Sequence, residues 1–543
     1  MQRKIAFVLF SLALSLNVFS QSSGFEELKS LELMDQIYEH LDQYFVDEIS
    51  HGKLSKTAID ALLNELDPYT VYYHEANIED YRLMTTGQYG GIGALLEQHE
   101  HDIFISEVYE KNPAQLSGIL AGDKLLRIDK QPVAKKSIEE VSNTLKGPKG
   151  SSVLLEYERD GIIMSKNVVR DEIKIPDIPY AGMLNQNTGY ISLSSFTQTA
   201  AEEVRKNILD LQAKGMKQLI FDLRGNGGGL LMEAVKIVGF FVPKGQLVVS
   251  TKARAQNENN QFTTQEEPIA KTLPLVVLID ENSASASEIV AGALQDLDRA
   301  IVVGKTSYGK GLVQRTFDLK YGSKIKLTIA KYYTPSGRCV QRLEYYGDDR
   351  NGAPKEIPDS LLQKFKTSNG RTVIDGRGIE PDVSMNDSSL TSFGNFLLKN
   401  HLIFNFATKF ALTHESIEKP NNFQLTENEI NDFKAFMLQH NRKYQSDETK
   451  ALEKIRKEIE TGNKQSPILT SYESLMQKLV ERDAMSFENH RTEVHKLLER
   501  EIIGRYYFQK GQIEYSLKHD PVLIKSLEIL ENPGLLKTVL GFK

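Results

Sequence analysis

The chain has 543 residues but only one cysteine, Cys339. A single cysteine excludes an internal disulfide, a zinc cluster built from cysteines and a CxxC redox pair. The formal net charge is only −7 at pH 7, which argues against a basic nucleic-acid-binding protein. After the first twenty residues, no segment is long and apolar enough to cross a bilayer. We therefore expect no nucleic-acid partner and no stable membrane span in the mature chain.

Histidine is absent between His101 and His401, which removes the usual general base from the middle of the chain. His99-Glu100-His101 does not have the HExxH spacing of a zinc protease. In an alternating strand these two histidines would face the same side without a third ligand. We therefore expect no metal site, and no cofactor is required by any motif.

The first twenty residues are typical of a secretory signal peptide. A short basic start, Met1 to Lys4, precedes an apolar run from Ile5 to Leu16. An uncleaved membrane anchor is the alternative. We expect an exported protein of the periplasm or cell envelope, with residues 1–20 removed.

Composition and periodicity divide the rest of the chain into four parts. Residues 24–84 have helical spacing, and residues 85–172 alternate short apolar runs with turn signals. Residues 173–384 alternate strand and helix patterns, with a polar excursion at about 251–268. Residues 385–543 are rich in Lys and Glu at helical spacing. The sequence predicts a multidomain α+β protein with N-terminal helices, a β-rich module, an α/β core and a helical C-terminal extension.

The roles of the two helical parts stay open. The N-terminal helices suit an isolated bundle, a dimerisation arm or packing against the next domain. The C-terminal extension suits a helical scaffold, a partner surface or a lid. A homodimer through either set of helices is consistent with this pattern.

Three serines, Ser283, Ser285 and Ser287, lie where an apolar run gives way to a helical pattern. Ser285 and Glu288 have the spacing of a capping box, which is a purely structural explanation for this serine. A hydroxyl at a helix N-terminus also lies in positive potential, which favours a developing oxyanion. The pattern alone does not choose among the three serines.

Lys310 is the candidate base for such a serine, because no histidine is available nearby. A solvated lysine is almost entirely protonated at pH 7, but burial lowers its pKa by about 3–5 units. Gln314 follows four positions later and could hold the amine through its side-chain oxygen. An exposed loop lysine is the alternative.

Two glycine-rich segments have features of ligand-binding loops. The segment 304–311 nearly matches the phosphate-binding pattern GxxxxGK[ST], but its last position is Gly311 and a strand pattern follows, so we exclude nucleotide binding. The segment 225–229 follows a strand and precedes a helix, so its amides could hold an oxyanion. A tight turn that needs positive φ explains it equally well.

Several motifs together resemble the carboxyl-terminal processing peptidases, also called tail-specific proteases. The resemblance runs from about Leu33 to Val383, and its motifs occur in the order of that family. They are Leu66-Asp67-Pro68-Tyr69, Tyr89 to Gly93, Asp222 to Gly229, Ser283 to Asp296, Gly304 to Gln314, Tyr332 to Arg338 and Gly378 to Val383. Cys339 departs from the small hydroxyl residue that such proteins commonly carry there.

The resemblance implies roles for individual residues. Ser285 would be the nucleophile, Lys310 the general base and Gln314 its orienting partner. The oxyanion would be held by the amides of Gly228 and Ala286. The catalytic part would have a crotonase-like (ββα) α/β core, with the polar excursion in a cap.

The β-rich module resembles a PDZ domain. The resemblance implies that the amides of Gly91, Ile92 and Gly93 accept a substrate's terminal carboxylate while its tail adds as a strand. We therefore expect a serine endopeptidase that cleaves exported proteins near apolar, unstructured C-terminal tails by a Ser/Lys acyl-enzyme mechanism. The alternatives are a non-catalytic PDZ adaptor on a protease-like fold and a crotonase-type acyl-CoA enzyme.

Overall fold

The computed structural model describes residues 24–75, 78–345, 354–385, 390–440, 443–460 and 467–541. The predicted signal peptide, residues 1–20, lies outside these residues. Within the described ranges, no helix is both long and apolar enough to traverse a membrane. The structure confirms the predicted multidomain α+β class, with β-rich, α/β and all-helical parts in that order.

The N-terminal part consists of α1 (24–44), α2 (His51–Asn64), β1 (Val71–Tyr73) and α3 (Ile78–Thr86). A turn after α2 is held by Asp67, whose carboxylate accepts the amides of Tyr69 and Thr70, each at 2.8 Å. β1 then pairs with a strand of the α/β part. Of the three alternatives for this region, packing against another domain is the one that the structure shows for β1.

The β-rich module contains eight strands and two short helices. Its elements are β2 (Gln88–Gly91), β3 (Ala94–His99), β4 (Asp102–Val108), α4 (Pro113–Leu116), β5 (Lys124–Ile128), β6 (Gln131–Pro132), α5 (Ile138–Leu145), β7 (Ser152–Arg159), β8 (Ile162–Val169) and β9 (Asp171–Lys174). The main sheet has the order β3-β4-β5-β7-β8, with β6 against β5, and β2 pairs with β9. β3 is therefore an edge strand, and it follows directly after the Gly91 to Gly93 segment.

The α/β part is built on two larger sheets and two two-stranded sheets. Its elements are β10 (Tyr180–Met183), β11 (Thr188–Ser192), α6 (Ala200–Ala213), β12 (Gln218–Asp222), α7 (Leu231–Gly239), β13 (Leu247–Lys252), β14 (Gln261–Thr263), β15 (Leu275–Ile279), α8 (Ala286–Asp296), β16 (Ile301–Gly304), β17 (Leu312–Asp318), β18 (Lys324–Tyr333), β19 (Leu343–Glu344), β20 (Lys355–Glu356), β21 (Lys364–Lys366), β22 (Thr372–Ile374) and β23 (Val383–Ser384). The two-stranded sheets are β19-β20 and β21-β22.

The larger sheet of this part has the order β10-β11-β12-β15-β16-β23. β10 is antiparallel to β11, and the remaining neighbours are parallel. Because parallel strands end at the same edge, the loops after β12 and β15 meet there. These loops carry the glycine segment 225–229 and Ser285.

The second sheet has the order β1-β18-β13-β14, with β17 against β18. The polar excursion at about 251–268 includes the end of β13 and all of β14, which pair as an antiparallel hairpin in this sheet. Lys310 lies just before β17, so this sheet positions the candidate base.

The C-terminal part is helical throughout its described residues. Its helices are α9 (Ser392–Lys399), α10 (Leu402–Thr413), α11 (Glu427–Gln439), α12 (Asp447–Glu460), α13 (Pro467–Ala484), α14 (Ser486–Asn489), α15 (Arg491–Leu517), α16 (Pro521–Glu531) and α17 (Pro533–Val539). Helices α9 to α11 and α15 share a core of their own, rich in phenylalanine.

The last two helices belong to a different core. Val522 and Leu523 of α16 are buried in one cluster with Ile220 of β12 and Val276 of β15. The neighbouring strand residue Phe221 points to the opposite face, in the cluster formed with α6 to α8. The larger sheet is therefore covered on both faces, and part of the extension is its scaffold.

Candidate active site

Ser285 occupies a sharp turn between β15 and α8, with φ 56° and ψ −111°. A positive φ is strained for a residue other than glycine. The turn is supported by Asn226, whose backbone oxygen accepts the Ala284 amide at 3.0 Å and the Ser287 hydroxyl at 2.9 Å. A serine on a strand-to-helix turn of this kind presents its hydroxyl at the edge of the sheet.

The three serines of this turn are not equivalent. The Ser283 hydroxyl donates to the backbone oxygen of Leu223 at 2.8 Å, and the Ser287 hydroxyl donates to that of Asn226. Both serines are fully buried, whereas Ser285 is only half-buried. The structure thus uses Ser283 and Ser287 to hold the turn and leaves Ser285 in reach of a ligand.

The capping-box spacing is also realised in part. Ser285 is the N-cap residue of α8, and the Glu288 carboxylate accepts the Ser285 amide at 2.8 Å. The Ser285 hydroxyl faces the helix amide without completing a side-chain cap hydrogen bond.

Glu288 connects the serine turn to the lysine loop. Its Oε2 accepts the amides of Ser285 at 2.8 Å and Lys310 at 2.9 Å. Its Oε1 accepts the Ser307 hydroxyl at 2.6 Å and the Gly309 amide at 2.7 Å. The side chain is fully buried, and this burial raises the pKa of Glu288 although the four donors oppose the shift.

Lys310 is half-buried, and its surroundings favour the neutral amine. Burial lowers the pKa of Lys310 to about 8, with a further lowering by the positive charge of Lys326. The carboxylates of Glu288 and Asp67 act in the opposite direction. A lysine with this pKa can exchange a proton near neutral pH, which a solvated lysine does poorly.

An aromatic group from the N-terminal part covers this amine. The Lys310 Nζ lies 4.2 Å from the centre of the Tyr69 ring. The Tyr69 hydroxyl is within hydrogen-bond distance of the hydroxyls of Tyr345, at 2.9 Å, and Tyr308, at 3.3 Å. Burial raises the pKa of Tyr69, so the phenol stays neutral. The ring excludes water from the amine, while its cation–π contact favours the charged form.

Gln314 is not bonded to the amine in this structure. Its side-chain nitrogen donates to the Thr328 hydroxyl at 3.1 Å, across the β17–β18 pair. Within the described part of the chain, no hydrogen bond joins Gln314 to Lys310. The role of Gln314 as an orienting partner stays a prediction.

Gly228 lies directly against the serine turn, as expected for an oxyanion loop. A Cβ at this position would be 2.8 Å from the Ser285 Cβ and 2.9 Å from the Ala286 nitrogen, and its φ is +101°. The Gly228 amide donates to the Asn226 side-chain oxygen at 2.8 Å. Ala286 is the first residue of α8, where an amide has no acceptor within the helix. The loop and Ala286 are therefore adjacent, and the role of their backbone amides as oxyanion donors stays a prediction.

The three residues expected to bind a terminal carboxylate lie between the end of β2 and the start of the edge strand β3. Ile92 is buried, and its backbone oxygen accepts the Ala114 amide at 2.7 Å. Gly93 has a φ of +73°, and a Cβ there would be 2.6 Å from Asn112. Because β3 has a neighbour on one side only, its other edge is suited to an added strand.

Two further features concern Cys339 and His99, for which the sequence predicts neither a nucleophile nor a metal site. Burial raises the pKa of the Cys339 thiol, which suits a packed residue rather than a nucleophile. Glu97, His99 and His401 form a cluster of potential metal ligands in the described chain, with the first two on β3 and the third before α10.

The comparisons with known proteins agree with this architecture. Residues 187–347 match Peptidase family S41, and residues 104–159 match the PDZ domain. Residues 393–530 match a family described as "Probable PDZ-protease, C-terminal helical domain". These three regions include the serine turn, most of the β-rich module and most of the helical extension.

Similar curated proteins carry protease names. A carboxy-terminal-processing protease of Bartonella bacilliformis is 34% identical over 353 residues, which cover 63% of this chain and 81% of that protein. A probable CtpA-like serine protease of Staphylococcus epidermidis is 30% identical, covering 74% of this chain and 85% of that protein. The carboxy-terminal processing protease CtpB of Bacillus subtilis is 32% identical over a region that covers 58% of this chain and 67% of that protein. The chain therefore belongs to peptidase family S41, the carboxy-terminal-processing serine proteases, and carries a PDZ domain and a C-terminal helical domain.

Proposed function

We propose that this protein is an exported endopeptidase in which Ser285 is the nucleophile and Lys310 the general base. The observation that carries the proposal is the position of the lysine. Its amine is buried, its pKa is lowered to about 8, and its backbone is held with that of Ser285 by one carboxylate. A base with a pKa near the working pH is the form that acid–base catalysis requires.

The reaction would proceed in two steps. Lys310 Nζ takes the Ser285 Oγ proton as Oγ attacks the scissile carbonyl, and the oxyanion lies near the Gly228 loop and the Ala286 amide. The protonated lysine returns this proton to the leaving amine, which gives the acyl-enzyme and the first product. A water molecule then gives its proton to Lys310 and attacks the ester, and the proton returns to Ser285 Oγ as the second product leaves.

Substrate selection would depend on the PDZ domain. The substrate's C-terminal tail would add to the free edge of β3, with its carboxylate at the amides of Gly91, Ile92 and Gly93. Gln314 would steady the lysine by accepting a hydrogen bond from the amine through its side-chain oxygen, while its side-chain nitrogen keeps the bond to Thr328. Export to the periplasm or cell envelope is part of the proposal and is supported by the pattern of residues 1–20.

Labelling and cleavage with matched variants test this proposal. The wild-type protein is expected to react with a fluorophosphonate at Ser285, located by peptide mass spectrometry, and to cleave a test protein with an apolar unstructured tail. Ser285→Ala and Lys310→Ala should lose both activities. Lys305→Ala is the matched control, because Lys305 lies in the same segment but forms a surface ion pair with Glu281.

The two alternatives predict different results. A non-catalytic PDZ adaptor would bind the tail without cleavage or labelling in any variant. An acyl-CoA enzyme would bind coenzyme A and leave the tailed protein intact. Equal cleavage by wild type, Ser285→Ala and Lys310→Ala would reject the Ser/Lys assignment.

A further inference from the structure

The PDZ domain and the helical domain meet at a cluster of two histidines and a glutamate. Glu97 and His99 are two positions apart on the edge strand β3, so their side chains lie on the same face. His401 is the residue before α10, with a φ of 54°. The fold thus brings together residues 304 positions apart in the sequence.

The donor atoms of this cluster lie close enough together to share one metal ion. Glu97 Oε1 lies 3.4 Å from His99 Nε2 and 2.9 Å from His401 Nδ1. In a tetrahedral zinc site with bonds of 2.0–2.1 Å, two donors are about 3.3 Å apart. The three donors all lie within 4.8 Å of one another. Two imidazoles and one carboxylate form a common zinc donor set that leaves a fourth position for water or a substrate group.

His99 provides an independent reason to expect a ligand. Its side chain is only 10% exposed, and its Nε2 is buried without a hydrogen-bond partner. A buried polar atom in this state costs free energy unless another group satisfies it. The same atom is the one that faces the Glu97 carboxylate. The orphaned nitrogen is therefore directed into the cluster.

The cluster has aromatic rings on the His99 side and is open to solvent at Glu97. The His99 ring lies 4.5 Å from the Phe104 ring and 5.0 Å from the Phe404 ring. The Glu97 side chain is 40% exposed, so a divalent ion can reach its carboxylate from solvent.

We propose that Glu97, His99 and His401 bind a zinc ion that joins the PDZ edge strand to the helical domain. The two imidazole rings are stacked, with centroids 3.5 Å apart and planes inclined by 17°. A metal lies in the plane of each imidazole that binds it, so one ring must turn out of the stack when zinc binds. The site is separate from Ser285, and it goes beyond the proposed proteolysis.

The test is zinc binding by the full chain without a polyhistidine tag, measured by equilibrium dialysis with elemental analysis. The wild type is expected to retain one zinc ion per chain at micromolar free zinc. His99→Asn and His401→Asn should weaken binding at least tenfold, and asparagine suits position 401 because it tolerates a positive φ. Glu97→Gln is a second variant if a histidine variant does not fold. His101→Asn is the matched control, because His101 is exposed on the same hairpin and lies outside the cluster.

Hydrogen exchange provides a second readout that does not depend on protease activity. Zinc should slow exchange of the β3 amides in the wild type and in His101→Asn, and should have no effect in His99→Asn. Absence of zinc binding by the wild type in the micromolar range would overturn the proposal. Equal zinc binding by the wild type, His99→Asn and His401→Asn would also overturn it, since it would indicate adventitious ions on surface groups.

Discussion

The backbone amides of Ser285 and Lys310 donate to the same oxygen atom, Oε2 of Glu288, at 2.8 and 2.9 Å. The nucleophile turn and the base loop are therefore held by one buried group rather than by two independent supports. Because Glu288 is part of α8, a movement of that helix would shift both loops together. This relationship makes Glu288 a positioning residue for the proposed reaction.

Glu288→Gln is expected to lower kcat while the protein still folds. The amide group keeps the volume of the side chain but has only one acceptor oxygen, so two of the four donors lose their partner. Each buried donor left unpaired costs about 1–3 kcal/mol. We expect kcat for cleavage of a tailed protein to fall at least tenfold, with KM nearly unchanged.

The matched control for this variant is Glu281→Gln, because Glu281 is exposed and only pairs with Lys305. Its activity should equal that of the wild type. A Glu288→Gln protein with normal kcat and normal fluorophosphonate labelling would show that the shared oxygen does not position the site.

The pH dependence of cleavage should report Lys310. Its pKa is about 8, below the ordinary value of 10.5, so at pH 7 only about one molecule in ten has the neutral base. We expect kcat/KM to rise about tenfold per pH unit below pH 8 and to reach a plateau above it. A profile that is flat from pH 6 to pH 9.5 would contradict the role of this lysine.

The lowered pKa of Lys310 also predicts that the free energy of unfolding increases as pH rises above 8. A lysine whose folded pKa is lowered binds protons more tightly in the unfolded chain. The unfolded state is therefore favoured by protonation of Lys310 below pH 8, and this penalty is relieved as pH rises from 8 toward 10.5. Lys310→Met should remove this contribution, which a comparison of unfolding at pH 7 and pH 9 would detect.

Lys326→Met should move the pH profile of cleavage to higher pH. The positive charge of Lys326 is one cause of the lowered pKa of Lys310, after burial. Its removal favours the protonated amine, so activity at pH 7 should fall while the plateau at high pH is retained. Lys324→Met is the control, because Lys324 lies on the same strand but pairs with the exposed Asp318. Coincident profiles for wild type and Lys326→Met would reject this electrostatic coupling.

Some of this site could be predicted from the sequence and some could not. The spacing of Ser285 and Glu288 predicts a helix start, and the absence of nearby histidine points to Lys310. The spacing does not reveal that Glu288 also binds the loop of Lys310, because a capping box accounts for only one of its two oxygens.

The features that the sequence does not predict depend on contacts between segments that are distant in the chain. Tyr69 covers Lys310 from the N-terminal part, and His401 completes the cluster that His99 begins. Helical periodicity in α16 predicts a buried face, but it does not name the sheet that buries it. For the same reason the sequence left the role of the C-terminal extension open.

Gly228→Ala is expected to lower kcat for cleavage strongly. A Cβ would lie 2.8 Å from the Ser285 Cβ, and the φ of +101° is strained for alanine. The loop must shift away from the serine turn, which separates the two groups proposed to hold the oxyanion. Loss of one oxyanion donor lowers kcat by about 100- to 1,000-fold.

Gly227→Ala tests whether this effect is specific to the contact. A Cβ at Gly227 meets no atom within 4 Å, and its φ is outside the positive range. Its kcat should stay within a few-fold of the wild type. Equal activity of the two alanine variants would show that the close approach of Gly228 has no part in catalysis.

Leu523→Ala should weaken the catalytic sheet although it lies far along the chain from Ser285. Leu523 is 2% exposed in the cluster that covers β12 and β15, whereas the adjacent Ile524 is 48% exposed. Truncation of a buried leucine costs about 2–5 kcal/mol, but an exposed substitution usually changes stability by about 0.5 kcal/mol or less.

Hydrogen exchange of the β15 amides measures the local opening free energy, which suits a chain of several domains better than global unfolding. We expect the β15 amides to exchange faster in Leu523→Ala than in the wild type. In Ile524→Ala they should exchange at the wild-type rate. If both variants exchange as the wild type does, α16 does not stabilise the sheet, and the helical extension is not part of the catalytic scaffold.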